Sequence, residues 1–218
     1  MAMISAMRML NALENGTLTG AQLQTLLANN SRRGELQVLL EIPGQVRRIT
    51  ANNVTMTAVA ASSTAMTAVA ASSTAMTAVI ASSVAMTAVI ASSTAKMAIF
   101  NSDTALAAIA TSSTALTAMR AAPQYALSAG TTGAIAGLNA AGSYIVVGLS
   151  TSNGTSSGVN IATRRAGSSV SMFQAATGAG NGSAGTQYNV AMPMVTPFSV
   201  TNVGAPWTWF VGTLRCDI

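Results

Sequence analysis

Between Met56 and Met119 one ten-residue phrase is written seven times, and no other feature restricts the fold of this chain so tightly. It reads Met66-Thr67-Ala68-Val69-Ala70-Ala71-Ser72-Ser73-Thr74-Ala75 and starts again at Met76. The first slot holds Met56, Met66, Met76, Met86, Lys96, Leu106 and Leu116. The fourth holds Val59, Val69, Val79, Val89, Ile99, Ile109 and Met119. So strict a period implies a linear, repetitive structure rather than a globule around one centre.

No Gly or Pro occurs between Gly44 and Pro123. Stacked β-coils need turn residues at their corners, whereas Ala, Met and Leu are the best helix formers. At ~100° per residue, ten residues turn ~1000°, which is ~80° short of three full turns. A straight helix would let the apolar stripe wander. Holding it on one seam needs ~3.33 residues per turn, the left-handed overwinding of a repeated stammer. The preferred expectation is therefore an overwound, parallel, trimeric coiled coil, roughly 95 Å long at ~1.5 Å per residue. Its seam would comprise Met56, Val59, Met66, Val69, Met76, Val79, Met86, Val89, Ile99, Leu106, Ile109, Leu116 and Met119, with Ser layers between the apolar ones. The alternative is a β-solenoid or triple-stranded β-rod, supported by the Thr and Val content. Lys96 sits in a Met slot. A local slip would turn it outward and put Met97 in the seam, and this is preferred over a register-fixing charge paired with Asp103.

Composition points to self-association. Half of the 218 residues are hydrophobic but only 4% are aromatic and 7% charged, against about 25% charged in ordinary domains. With so few large side chains a deep single-chain core is not expected, and several copies would have to bury what one cannot. The net charge of +5 is spread over segments of different character rather than along one stripe, which argues against nucleic acid. The single cysteine, Cys216, excludes a disulfide framework and reads as a buried, inert thiol rather than a bridge between chains. The N-terminus lacks the basic-then-apolar order of a signal peptide, and no apolar run approaches the ~20 residues of a membrane span. A soluble product without membrane insertion is expected. There is no histidine, and Glu14, Glu35, Glu41, Asp103 and Asp217 are dispersed. With no phosphate loop and no Cys cluster either, the sequence argues for no enzyme, no catalytic residue, no cofactor and no metal site.

Three segments follow. Residues 1–55 read as a small helical module: a run to Glu14 stopped by Asn15-Gly16, a helix capped by Thr19 and ending at Asn29-Asn30, and a run from Glu35 to Leu40 before Pro43-Gly44. The module reads either as an N-terminal cap on the rod or, since a rod needs an attachment, as an anchor, with Arg32, Arg33, Arg47 and Arg48 then meeting acidic surface on a partner. Residues 56–122 are the repeat stalk. Residues 123–218 carry most of the glycines, with strand-like runs at 143–149, 159–163, 170–173 and 210–214, and read as an antiparallel β-sandwich or jelly-roll-like head. Arg164, Arg165, Tyr188, Trp207 and Trp209 are its candidate surface contacts for a glycan or protein, although Trp in a small β-domain is more often part of the core, which is the preferred reading of the aromatics. Together the segments make a multi-segment fibrous chain.

The Ser-Ser-Thr-Ala-Met-Thr-Ala-Val repeats resemble those of tailed-bacteriophage fibres and related virion structural proteins. The flanking Leu13-Glu14-Asn15-Gly16-Thr17-Leu18-Thr19 and Gly44-Gln45-Val46-Arg47-Arg48 add to the resemblance, which covers roughly residues 10 to 120. It implies a virion protein made in the host cytoplasm, joined to other virion proteins through its N-terminus and facing the host with its distal domain. The expected form is a homotrimer. The alternatives are a short decoration or collar protein and, third, a bacterial trimeric adhesin.

Overall fold

A computed structural model describes residues 2–130, 142–151, 158–165, 168–176, 192–195, 200–203 and 209–218. The chain divides into two compact units, Met1–Met119 and Arg120–Ile218. The first is built from helices α1 (Ala2–Glu14), α2 (Gly20–Leu26), α3 (Asn30–Leu40), α4 (Pro43–Ala51), α5 (Asn53–Ala61), α6 (Ser63–Ala71), α7 (Ser73–Ala81), α8 (Ser83–Ala91), α9 (Ser93–Phe100), α10 (Asp103–Ala110) and α11 (Ser113–Arg120).

Each phrase folds as one short helix and a corner. Ser62 shows how a corner forms without Gly or Pro. It stands in the β region at φ −100°, ψ 115°, where any L-residue is comfortable. Its N–H donates to Val59 O (3.1 Å), its carbonyl accepts the Met66 N–H (2.9 Å), and its Oγ accepts the Ala65 N–H (3.2 Å). One residue thus ends α5 and N-caps α6. Ser72, Ser82 and Ser92 repeat this arrangement, and Asn52 N-caps α5, its Oδ1 accepting the Thr55 N–H (3.1 Å) and its carbonyl the Met56 N–H (2.9 Å). The helix axis bends by 103° between α5 and α6 and by 100° between α7 and α8.

Turns of this size bring the chain back over itself every three helices. α5 packs on α8, α6 on α9 and α7 on α10, while α2, α3 and α4 underlie α5, α6 and α7. Thirty residues therefore make one coil of a three-sided α-solenoid. With stacked helices ~8–10 Å apart, its rise from α2 to α11 is roughly 30 Å. Residues 1–55 and the repeats belong to one compact unit.

The fibrous coiled coil is thereby overturned, and so are the β-solenoid and the β-rod. All the seam residues from Met56 to Met119 are buried, none more than 4% exposed, but inside their own chain. The ~80° phase deficit is not absorbed by winding a continuous helix tighter. It is cancelled at each corner, where a capped Ser restarts the helix with its Met inward. The tenth slot explains how closely the sides approach. Ala65, Ala75, Ala85, Ala95, Ala105 and Ala115 are all fully buried, and a larger residue would push the sides apart. Lys96 corrects a second expectation: it is 1% exposed, while Met97 is only half-buried. The cap at Ser92 fixes the phase of α9, so a slip would drag Ala95 and Ile99 out of the core with it.

The first coil is less regular. Gly16 (φ 74°) makes the left-handed turn that ends α1. Thr19 and Gln22 form a capping box on α2, Asn29 caps α3, and Pro43 occupies the first turn of α4.

The second unit contains β1 (Tyr125–Gly130), β2 (Ser143–Thr151), β3 (Gly158–Arg165), β4 (Ser168–Ala176), β5 (Met192–Val195), β6 (Val200–Val203) and β7 (Trp209–Arg215). The four strand-like sequence runs fall in β2, β3, β4 and β7. Among the described residues the expected sandwich or jelly roll is not formed. The described strands make two small antiparallel sheets, ordered β1-β7-β2-β5 and β4-β3-β6. The described parts of β5 and β6 are four residues each, and among the described residues the two sheets do not present the pair of broad apolar inner faces that a sandwich needs. Pro193 is tolerated because β5 lies on an edge. Tyr144, Ile145, Val146, Val147, Leu214 and Cys216 are buried around β2 and β7. Cys216, the one cysteine in the sequence, is buried and forms no intrachain disulfide, and its N–H donates to Ser143 O (2.8 Å).

Candidate functional site

The four candidate docking arginines occupy different settings. Arg48 clamps α4 to α1: its Nε and Nη2 donate to Glu14 Oε1 (2.9 Å) and Oε2 (2.6 Å), and further bonds reach Gln45 and Asn11. This bidentate bond to Glu14 holds the guanidinium pKa above its ordinary value. Arg32 donates from Nη1 to both Glu35 oxygens (2.9 and 3.1 Å) and to Ser5 Oγ. The same bond keeps the Glu35 carboxyl below the usual carboxylate range. Arg32 and Arg48 are thus occupied within the chain. Arg33 and Arg47 are exposed; Arg33 meets Asn30, and Arg47 donates from Nε to Pro43 O (3.3 Å).

A groove opens beside Arg47. About 900 Å³ in volume and open rather than enclosed, it is lined by Ala51, Ala78, Ala81 and Val84, with Arg47 and Ser83 among its polar residues. The coil brings these together: α4 lies on α7, and α8 leaves the corner at Ser82. Two smaller concavities of about 390 Å³ lie near Asp103 and near Val54.

A ladder of serine hydroxyls is the feature that sequence reasoning missed. Each corner Ser accepts its cap bond and also donates to the coil beneath. Ser82 Oγ reaches Thr50 O (2.7 Å), Ser92 reaches Ala60 O (2.6 Å), Ser102 reaches Ala70 O (2.5 Å) and Ser112 reaches Ile80 O (3.3 Å). The acceptors are last-turn carbonyls that the helices leave unpaired. One oxygen therefore caps the start of one helix and the end of another. The available signal was a Ser immediately before each apolar-periodic run, a helix-start mark.

The candidate head contacts are only partly described. Arg164 and Arg165 lie opposite Ser169 and Ser168 in the β3–β4 pair. Trp209 lies in β7, opposite Gly130 and Thr151. Their side chains, and Tyr188 and Trp207 altogether, fall outside the described residues. Nearby, Arg215 pairs with Asp217 (2.8 Å) and lies 6.0 Å from the centre of the Tyr144 ring. That pairing holds the Asp217 carboxyl below its ordinary pKa.

Among the described residues no group of three His, Cys, Asp or Glu could hold a metal ion. Nor is any single helix among them long and apolar enough to cross a membrane. No protein-family model matches the chain, and no curated protein matches it significantly.

Proposed function

We propose that this chain is a structural protein of a tailed-bacteriophage virion, a homotrimeric fibre attached to the particle through residues 1–55. Its C-terminal unit faces outward for attachment to a host-surface glycan or protein. It catalyses no reaction and uses no cofactor. The observation that carries this reading is the distribution of charge in the first unit. Its exposed basic residues, Arg8, Arg33 and Arg47, all lie in the first 55 residues. The exposed second, sixth and eighth slots of the repeats hold chiefly Thr, Ala and Ser. A basic base below a stack with few exposed charges suits a spacer whose recognition surfaces belong at its ends. The resemblance of residues 10–120 to phage fibre proteins points the same way.

The solenoid rises only roughly 30 Å at ~8–10 Å per coil, and this shortness favours a second reading, a decoration or collar protein. One experiment addresses both. Particles carrying the chain tagged at either end are labelled with antibody. The fibre reading expects the C-terminal tag to be accessible and the N-terminal tag protected; the reverse pattern, or absence of the chain from purified particles, would refute it. Tagged particles that label C-terminally but bind host cells no better than particles lacking the chain would select the decoration role.

A further inference from the structure

The geometry points to the groove at the corner of α4, α7 and α8 as the docking surface, and to an acid-bearing segment of the receiving virion protein as its occupant. This rests on the particle-docking reading above and names the partner's chemistry.

Three observations converge on a carboxylate beside an aliphatic side chain. First, the groove has apolar walls in Ala51, Ala78, Ala81 and Val84, which an aliphatic side chain would cover. Second, no residue lining it is acidic, and its one charged residue is Arg47. The Nε bond to Pro43 O holds the arginine stem along the first turn of α4. The two terminal nitrogens take no hydrogen bond or ion pair among the described residues, so they remain available for a bidentate carboxylate. Third, α8 begins in the groove at Ser83 and Val84. The cap oxygen of Ser82 is taken by the Ala85 N–H, leaving the earlier N–H groups of this nine-residue helix as donors with the positive end of its dipole behind them.

The cation marks this coil alone. Thirty and sixty residues after Arg47 the same column holds Thr77 and Ala107, so higher coils repeat the small residues without the charge. An enclosed pocket would take a small molecule and bury most of it. An open groove of this size instead takes side chains from a protein segment.

The test uses the full chain and a fluorescein-labelled synthetic peptide alternating Glu with Leu and Val, against the same peptide with Lys for Glu. The acidic peptide should bind, weaken with salt, and lose at least about tenfold in affinity with Arg47→Glu, as for a close interfacial charge pair. Thr77→Trp, an exposed change that fills the groove, should lower affinity similarly, whereas Arg33→Glu should not. Unchanged circular dichroism confirms that each variant folds. Absence of binding, equal binding of the Lys peptide, or indifference to Arg47→Glu overturns the groove assignment and leaves the particle-docking reading to the tag experiment. If Arg47→Glu abolishes peptide binding yet the chain enters particles normally, particle docking through this groove is overturned instead.

Discussion

The corner serines make the most demanding prediction, because one hydroxyl is asked to do two things. Take Ser92, in the middle of the stack. Its Oγ accepts from the Ala95 N–H (3.2 Å) and donates to Ala60 O (2.6 Å) one coil below. Ser92→Ala removes both bonds. Loss of an N-cap serine costs about 1 kcal/mol, with a range of about 0.5–2. Stranding the Ala60 carbonyl in the part-buried interface costs about 1–3 kcal/mol. The total is about 2–4 kcal/mol, and it should fall on neighbouring coils, since stability in a solenoid is carried by nearest-neighbour contacts.

Two further variants separate the roles. Ser92→Thr keeps a hydroxyl that can accept and donate, so it should cost less than about 1 kcal/mol. Ser92→Asp keeps the cap acceptor but, when ionised, turns an acceptor towards the Ala60 carbonyl. It should therefore resemble the alanine variant despite being a good N-cap. Ser93→Ala, at the exposed second serine, should stay within about 0.5 kcal/mol. Urea unfolding followed by far-ultraviolet circular dichroism measures the costs, and amide exchange at Ala95 and across α5 and α9 locates them. If Ser92→Ala and Ser93→Ala prove equal, or Ser92→Asp matches the parent chain, the dual-bond account is wrong.

Other parts of the solenoid can be tested the same way. Gly20→Ala would place a Cβ 2.6 Å from the Ala61 Cβ and 2.9 Å from Ala58 O, so it should destabilise by about 1–3 kcal/mol in urea unfolding. Thr55 stands fully buried in the slot that later phrases give to Ala, and its hydroxyl finds no partner among the described residues. Thr55→Ala should be neutral or stabilising by up to about 2 kcal/mol, because removing a stranded hydroxyl outweighs the lost methyl; a clear loss of stability would show the hydroxyl to be bonded. Glu35 and Asp217 have carboxyl pKa values held below the ordinary range by Arg32 and Arg215. Their contribution is complete above the unfolded carboxyl values and is lost as pH falls through the lower folded ones. With no histidine in the chain, the stability should be flat near neutrality and decline only on acidification, which a pH series of urea midpoints would reveal. Deleting residues 63–92, three whole phrases, should leave helical content per residue unchanged. Deleting residues 63–72 should destabilise the stack, because every later helix then moves to a different side.

Much of the first unit was legible, and what was not has a physical cause. The helical state follows from Ala, Met and Leu, and the boundaries at Asn15-Gly16 and Thr19 from turn and cap chemistry. The corners did not follow, because a Ser costs only a few tenths of a kcal/mol inside a helix and contributes about 1 as a cap. That difference is too small to read at one site, and only the partner coil resolves it through the second hydrogen bond. The burial of Lys96 is hidden in the sequence for a related reason: its direction depends on a phase set by Ser92, not on its own hydropathy. The groove is invisible in the sequence because Arg47 comes to line it with Thr77, Ala81 and Val84 only after the chain has gone once around.

The same coil answers the compositional argument that one chain could not bury a core. A globular core needs large side chains because it must fill the space between sheets or long helices. A three-sided coil needs each helix to contribute only a narrow inward strip, and in α7 that strip is Ala75, Met76 and Val79. Fully buried alanines bring the sides close enough for Met and Val to fill the centre. Backbone groups that such short helices would leave unpaired at both ends are met by one serine per corner. Scarcity of large residues thus sets the width of the coil instead of forcing several chains to share a core. The proposed homotrimer would therefore have to be held by surfaces outside this core, and substitutions at Met76 or Val79 should lower the stability of the coil without changing the number of chains associated.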